Sequence, residues 1–305
     1  MLRYLLRRLA LGIAVALTVM TLAFILTRLS GDLAISIAGA SATQEDVEII
    51  RKAYELDRPL VFQFFRWVSR AIVGDFGMSF FFKEKVSTLI GERLPVTITL
   101  GLVGLSIALL ISIPLGMLAA TRENTWIDRG VTVFTIVGQA MPTFWLGLIM
   151  MIVLGLWLGL LPISGTGSWE HFVMPGIVLA FTAIPALTRL TRSGMIEAMS
   201  SDYIRTARAK GLSRLTIVGK HALRNAAIPV VSIAAVQLGF MLGGSIVIET
   251  VFALHGVGFL AWESIGKNDF PVVQAVVLVL AVIYVGLTLL SDLLNALLDP
   301  RLRVA

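Results

Sequence analysis

Cysteine is absent from this 305-residue chain, which excludes disulfides, thiolate nucleophiles and cysteine-ligated metals. Histidine is nearly so: His171, His221 and His255 are scattered, which argues against a histidine-built metal site. Charge is scarce as well. Only 14% of the residues are Asp, Glu, Lys or Arg, against about 25% in soluble domains. At the same time 57% are hydrophobic, and the mean hydropathy is +0.90. A water-soluble globule of this size is excluded, and lipid must solvate much of the surface. The phosphate-cradling pattern G-x-x-x-x-G-K-[ST] is missing too. Gly219-Lys220 and Gly266-Lys267 lack both the upstream glycine and the hydroxyl residue. The chain is not expected to bind or hydrolyse ATP itself.

Charge vanishes altogether over residues 9–27, 94–121, 130–169, 171–188, 225–248 and 270–291. A spanning helix needs roughly 20 apolar residues, so each run can hold one, with 171–188 the shortest. The 130–169 run could hold two, but Leu161-Pro162-Ile163-Ser164-Gly165-Thr166-Gly167-Ser168 is turn chemistry. Six spanning helices are predicted. Arg3, Arg7 and Arg8 before the first run, and Ala38-Gly39-Ala40 after it, resemble a secretory leader. The apolar core is longer than the usual leader core of about 7–15 residues, so it reads as a retained span.

Lys and Arg counts orient the spans. With the N-terminus inside, residues 1–8, 122–129, 189–224 and 293–305 carry 15 Lys and Arg against 5 Asp and Glu. The outer pieces carry 10 against 13. The positive-inside rule places both termini in the cytoplasm. The net charge of +6 is then inner-loop charge, and no nucleic-acid partner is expected. The organisation is an N-terminal tail and first span (1–29), an extracytoplasmic loop (30–94), a five-helix core (95–293) and a cytoplasmic tail (294–305). In the outer loop, Thr43-Gln44-Glu45-Asp46 opens a helix as a capping box with Asp in place of Glu. Asp57-Arg58-Pro59 breaks it. Phe62, Phe64, Phe65 and Trp67 suit a segment lying at the membrane interface, as an amphipathic cover or as a partner-binding surface.

The inner segment 189–224 carries eight Lys and Arg. Asp202 to Gly211 reads as a short helix, with Asp202 as its cap, Thr206, Ala207 and Ala209 as small residues and Gly211 as its stop. Leu215 to Asn225 is a second helical stretch, bearing Lys220, His221 and Arg224 and running toward Pro229. A short helix with small and basic faces fits a groove on another protein. Inside-positive charge alone would not require the small residues or the glycine.

Asp202-Tyr203-Ile204-Arg205-Thr206-Ala207-Arg208-Ala209-Lys210-Gly211, followed by His221-Ala222-Leu223-Arg224-Asn225-Ala226-Ala227-Ile228-Pro229, resembles the cytoplasmic EAA loop of binding-protein-dependent ABC importer permeases. The version matched is that of the dipeptide/oligopeptide/nickel/glutathione subfamily. The resemblance covers the whole chain. It includes Met1-Leu2-Arg3-Tyr4, Leu56-Asp57-Arg58-Pro59-Leu60, Gly74-Asp75-Phe76-Gly77-Met78-Ser79 and Glu92-Arg93-Leu94-Pro95. It continues through Met141-Pro142-Thr143-Phe144-Trp145, Asp269-Phe270-Pro271-Val272-Val273-Gln274 and Asp299-Pro300-Arg301. Arg205, Thr206, Ala207 and Arg224 depart from the general EAA pattern in the way this subfamily does. Ala253-Leu254-His255-Gly256 stands where the subfamily usually has a Trp-Pro-Gly turn.

The resemblance implies an all-α integral membrane protein with the type I ABC importer permease fold, in a cell inner membrane. It also implies a second, usually non-identical permease, two cytoplasmic ATPase subunits and an extracytoplasmic solute-binding protein. ATP and Mg would sit on the ATPase partners, with no cofactor on this chain. Peptides come first among the implied solutes, with glutathione and nickel chelates after them. Tyr203, Arg205, Thr206, Ala207, Lys210, Gly211, His221 and Arg224 would couple the chain to an ATPase. Ala207 and Gly211 would allow close approach. Pathway candidates are Gln139, Met141, Pro142, Gln237 and Met241, since polar or helix-loosening residues within spans mark translocation routes. Two other classes fit less well. A stand-alone carrier or channel would want an ionisable residue in mid-span or symmetric broken helices. An intramembrane enzyme would want a nucleophile with its base, paired carboxylates or a metal set.

Overall fold

The computed structural model describes residues 2–29, 31–39 and 42–298. Met1, Ala40 and the terminal Asp299-Pro300-Arg301 motif, with the rest of the tail, lie outside them. Among the described residues the regular secondary structure is helical: α1 (Leu2–Leu29), α2 (Leu33–Ala38), α3 (Gln44–Ala53), α4 (Leu60–Ile72), α5 (Val86–Thr121), α6 (Trp126–Ala140) and α7 (Thr143–Met150). Then follow α8 (Val173–Ser200), α9 (Asp202–Ala209), α10 (Arg214–Thr216), α11 (Leu223–Val251), α12 (Val257–Gly266) and α13 (Phe270–Leu298).

Five helical stretches are long and apolar enough to cross a membrane, and the bent pair α6–α7 makes a sixth if taken as one span. The expectation of a single third helix is corrected here, because α6 and α7 meet at 98°. Pro142 has no N–H to donate and forces the residue before it out of the helical region, leaving Met141 extended at ψ 129. Pro95, Pro114, Pro185 and Pro229 are instead carried inside continuous helices. Spans outrun their uncharged cores, α5 and α8 most clearly. α5 begins at Val86 rather than near 94, and α8 runs on to Ser200. Much of the inner segment 189–224 is therefore helix, not loop. Residues 214–251 are one helical stretch with a π turn over Ile217–Ala222.

The core lies where α8 packs on α5 and α11. Met174, Val178, Leu179, Ala183 and Leu187 of α8 are buried there with Leu100 and Ala108 of α5 and Val230 and Met241 of α11. Small residues let these backbones approach, which substitutes for the hydrophobic drive that lipid removes. α13 packs on α11, and α1 on α13 in turn, where the Gln274 amide donates to Thr27 Oγ1 at 2.5 Å. The segment between the first two spans folds into α2 to α4, a cover at one end of the bundle. Thr43 caps α3 as its sequence suggests, with Asp46 N–H on Thr43 Oγ1 at 3.2 Å and Thr43 N–H on Asp46 Oδ2 at 3.0 Å. Asp32 caps α2 and pairs with Arg51 of α3 at 2.5 Å. The turn at Asp57-Arg58-Pro59 is closed by the buried Gln63 amide, which donates to the Arg58 and Leu56 carbonyls.

Candidate functional site

The segment resembling the EAA loop is fastened to three spans at one end of the bundle. Ile204 and Ala207 of α9 are buried in a cluster with Met195 and Ala198 of α8, Ile217 and Ala222 of the π turn and Ala226 of α11. Met117 and Ala120 of α5 pack against the same cluster. Beside it, Arg192 of α8 donates twice to Asp128 of α6, at 2.6 and 2.7 Å, and Asn124 N–H donates to the same carboxylate at 3.0 Å. Bidentate geometry of this kind fixes orientation as well as attraction. The ends of α5, α6, α8 and α11 are thereby tied to one another and to α9.

The placement of the sequence candidates follows from this. Tyr203, Arg205, Thr206, Arg208, Lys210 and Gly211 are exposed. Ala207 is not: it is buried against this chain's own α8 and π turn, rather than in an outside groove. The expectation that Asp202 caps α9 is also corrected. Ser201 holds the N-cap position in extended conformation, and Asp202 is a first-turn residue that complements the helix dipole. Gly211 does stop the helix. Its φ of +77 belongs to the left-handed region that glycine alone enters without strain. Leu212 N–H reaches the Ala207 carbonyl and Gly211 N–H the Arg208 carbonyl, the two bonds of a Schellman cap. His221 is half-buried in the π turn, and Arg224 is exposed in the first turn of α11. Sequence reading passed over Leu215, which is 87% exposed just beyond the cap. A bare leucine between Ser213 and Thr216 is its only signal.

The pathway candidates divide. Gln237 and Met241 line one recess of about 200 Å³ between α7, α8 and α11, with Thr143, Thr182 and Gly244. Gln139 and Pro142 are exposed and Met141 half-buried at the α6–α7 bend, outside that recess. Along α8, Leu179 and Thr182 at the recess are followed by Ala186, Arg189 and Ser193 in a second, open groove shared with Thr132 and Ile233. Their spacing of three and four puts them on one helix face. The two hollows thus share an α8 face and the matching face of α11, where Ile233 and Gln237 lie one turn apart.

Two buried carboxyl groups, Glu249 and the Asp269 of the sequence motif, set the opposite end of the bundle, a role that their local sequence does not show. Glu249 of α11 accepts from Thr97 Oγ1 at 2.7 Å, Ser245 Oγ at 2.8 Å and Phe259 N–H at 2.8 Å. Val257 N–H donates to Thr97 Oγ1, so two of the free amides that open α12 are satisfied. Gly256 makes room: a Cβ there would lie 2.5 Å from both Glu249 Oε2 and Thr97 Oγ1. Asp269 accepts from Ser79 Oγ, Phe80 N–H and Phe81 N–H, which ties the Gly74–Ser79 motif to the Asp269–Gln274 motif. Among the described residues no group of three or more His, Asp or Glu could hold a metal ion.

Comparison with known proteins agrees with this architecture. Residues 112–304 match the model of the binding-protein-dependent transport system inner membrane component family. Residues 1–101 match that of the N-terminal part of such membrane components. A protein named as a peptide transport system permease of Brucella abortus (strain 2308) is 40% identical over 307 residues, covering 98% of both chains. The glutathione transport system permease protein GsiC of Salmonella paratyphi A is 39% identical over 304 residues, covering 99% of both. Among solved structures, the inward-facing MetNI methionine ABC transporter superposes with a TM-score of 0.58 at 21% identity, over 69% of this chain and 96% of that one. The chain belongs to the inner membrane components of binding-protein-dependent ABC importers, with the type I permease fold.

Proposed function

We propose that the chain is one half of the translocation channel of an ATP-driven peptide importer, with di- and oligopeptides as its solutes. The observation that carries this reading is the fixing of α9, with Ile204 and Ala207 buried among the ends of three spans while Tyr203, Arg205 and Leu215 face outward. A contact made on that outward face is passed to the spans as rigid-body motion. It transmits free energy only where the contact differs between the open and closed ATPase pair. ATP and Mg belong to those separate ATPase subunits. A second, non-identical permease supplies the other wall of the channel, and an extracytoplasmic binding protein delivers the solute. Both termini and α9 lie in the cytoplasm, with α2–α4 outside, in keeping with the split of Lys and Arg. The solute follows the α8 face through Thr182, Ala186 and Arg189, past Gln237 and Met241. Glutathione is the second reading, favoured by the 39% identical glutathione permease.

The test is uptake of a labelled dipeptide into proteoliposomes that hold this chain, its partner permease, the ATPases and the binding protein. ATP-dependent uptake is expected, with Thr182→Trp blocking it while the complex still assembles. ATP-dependent uptake of glutathione with no peptide uptake would select the second reading. Uptake without the ATPase subunits would overturn both.

A further inference from the structure

A cavity of about 510 Å³ lies between the end of α1, α4, the segment before α5 and the start of α13. It is set apart from the recess around Gln237, and the main contacts of α1 are with α13 and α4. Four cations line it, Arg28, Arg66, Arg70 and Lys85, against two carboxylates, Glu55 and Asp75. Both carboxylates are engaged, Glu55 by Arg66 and Asp75 by Arg70 at 3.9 Å. Among the described residues no carboxylate forms an ion pair with Arg28, and Asp32 acts on it only through space. The Arg28 Nε is buried without a hydrogen-bond partner, and its guanidinium lies 5.0 Å from the centre of the Phe24 ring. Asp32, four residues on, is already taken by Arg51. The remaining wall is aromatic, with Trp67, Phe76, Phe80 and Phe270.

Two further features fix the setting. Arg28 stands at the end of an apolar span, the depth at which long cationic side chains meet lipid headgroups. α4 turns Arg66 and Arg70 toward the cavity while Val61, Phe65 and Ile72 are 65–76% exposed on its other side. That is the division of a helix lying in a membrane interface. A ligand for this place must bring an anion for Arg28 and Lys85, an apolar body for the aromatic wall, and access from the membrane. We propose that the cavity binds the phosphate headgroup of an anionic phospholipid from the leaflet beside α4, whichever solute the chain moves. The headgroup would tie α1 and α4 to α13 by giving the buried Arg28 Nε–H a directly bonded anion.

The experiment uses the purified full-length chain in delipidated detergent, with bound lipid counted by native mass spectrometry. Phosphatidylglycerol and phosphatidylcholine with the same acyl chains are titrated, with glycerol phosphate and inorganic phosphate as competitors. One phosphatidylglycerol should bind about tenfold tighter than phosphatidylcholine, since charge-assisted bonds to a net anion separate them. Arg28→Gln should remove that preference and Arg28→Lys should keep most of it. Should Arg28→Gln fail to fold, Lys85→Gln, at an exposed position, reads the same loss in part. Equal binding of the two lipids, or an unchanged preference in a folded Arg28→Gln, would overturn the proposal. Displacement of phosphatidylglycerol by glycerol phosphate or inorganic phosphate at equal concentration would also overturn it, by making this a site for free anions.

Discussion

At position 249 a carboxyl group is shut away from water yet supplied with three donors, from Thr97, Ser245 and Phe259. Removing it takes the acceptor from the Thr97 hydroxyl and the Phe259 amide, at a cost of about 1–3 kcal/mol for each such group before any relaxation, while Ser245 keeps the Leu242 carbonyl. Glu249→Ala should therefore lower the thermal unfolding temperature of the purified chain markedly. Glu249→Gln, which keeps one acceptor oxygen, should lower it far less. Equal melting of the two variants would contradict the role given to this side chain. Its importance was hidden in the sequence, because Glu249 reads there as the first charge after an apolar run. What identifies it are Gly256 and Gly258, whose missing side chains let the carboxyl group reach the start of α12. Ala207 teaches the reverse lesson. Small size at that position suggested a surface fitted to a partner, but the residue is buried with this chain's own α8 and π turn. Ala207→Trp should overpack that cluster by about 1–3 kcal/mol and lower the melting temperature of the chain without any ATPase present. An unchanged melting temperature would return Ala207 to the outer face.

Among the elements, the cover of α2 to α4 offers a titration. Asp32 has its pKa held below the ordinary carboxyl range, first by its hydrogen bond from Arg51 and then by the Ala34 amide, against some desolvation. A lowered folded pKa means that the stabilisation is fully present above the unfolded value of about 3.9 and is lost as pH falls through the folded value. Amide exchange in α2 and α3, corrected for intrinsic rates, should stay constant between pH 7 and pH 5 and quicken only in stronger acid. Arg51→Gln should give the quickened exchange already at pH 7. Exchange that quickens between pH 7 and pH 5 would contradict this assignment. The same elements show how far pattern reading reaches. Thr43 and Asp46 announced their capping box because that signal is local, and Gly211 announced the end of α9 for the same reason. The true ends of α5 and α8 were not local matters. Burial of Val86 and Leu89 against α12 and α13, and of Met195 and Ala198 against α9, carries both helices past their uncharged cores. The 98° bend had a local cause in Pro142, yet Pro95, Pro114, Pro185 and Pro229 obey the same chemistry without breaking their helices. Neighbouring spans decide which proline breaks and which is tolerated.

Across the whole molecule, the membrane class and the number of apolar runs were legible from where charge is missing, and the α9 helix from where charge gathers. The pairing of Ser79 with Asp269, and of Asp128 with Arg192, was not, since partners so far apart in sequence leave no periodic trace. These long-range ties join distant parts of the bundle, and α9 is packed onto one end of it. The account rests on α9 and its flank being the handle that an ATPase holds. Leu215 tests this most directly, because at 87% exposure it contributes almost nothing to the chain's own packing. Leu215→Asp should leave insertion and melting of the isolated chain unchanged. An apolar side chain buried in a partner's groove is worth about 1.5–3 kcal/mol, so ATPase co-purification should fall about tenfold or more, and solute-stimulated ATP turnover in proteoliposomes should fall with it. Full ATPase assembly and full stimulated turnover with Leu215→Asp, joined by the same result for Tyr203→Asp, would show that the exposed side of this segment is not the coupling surface.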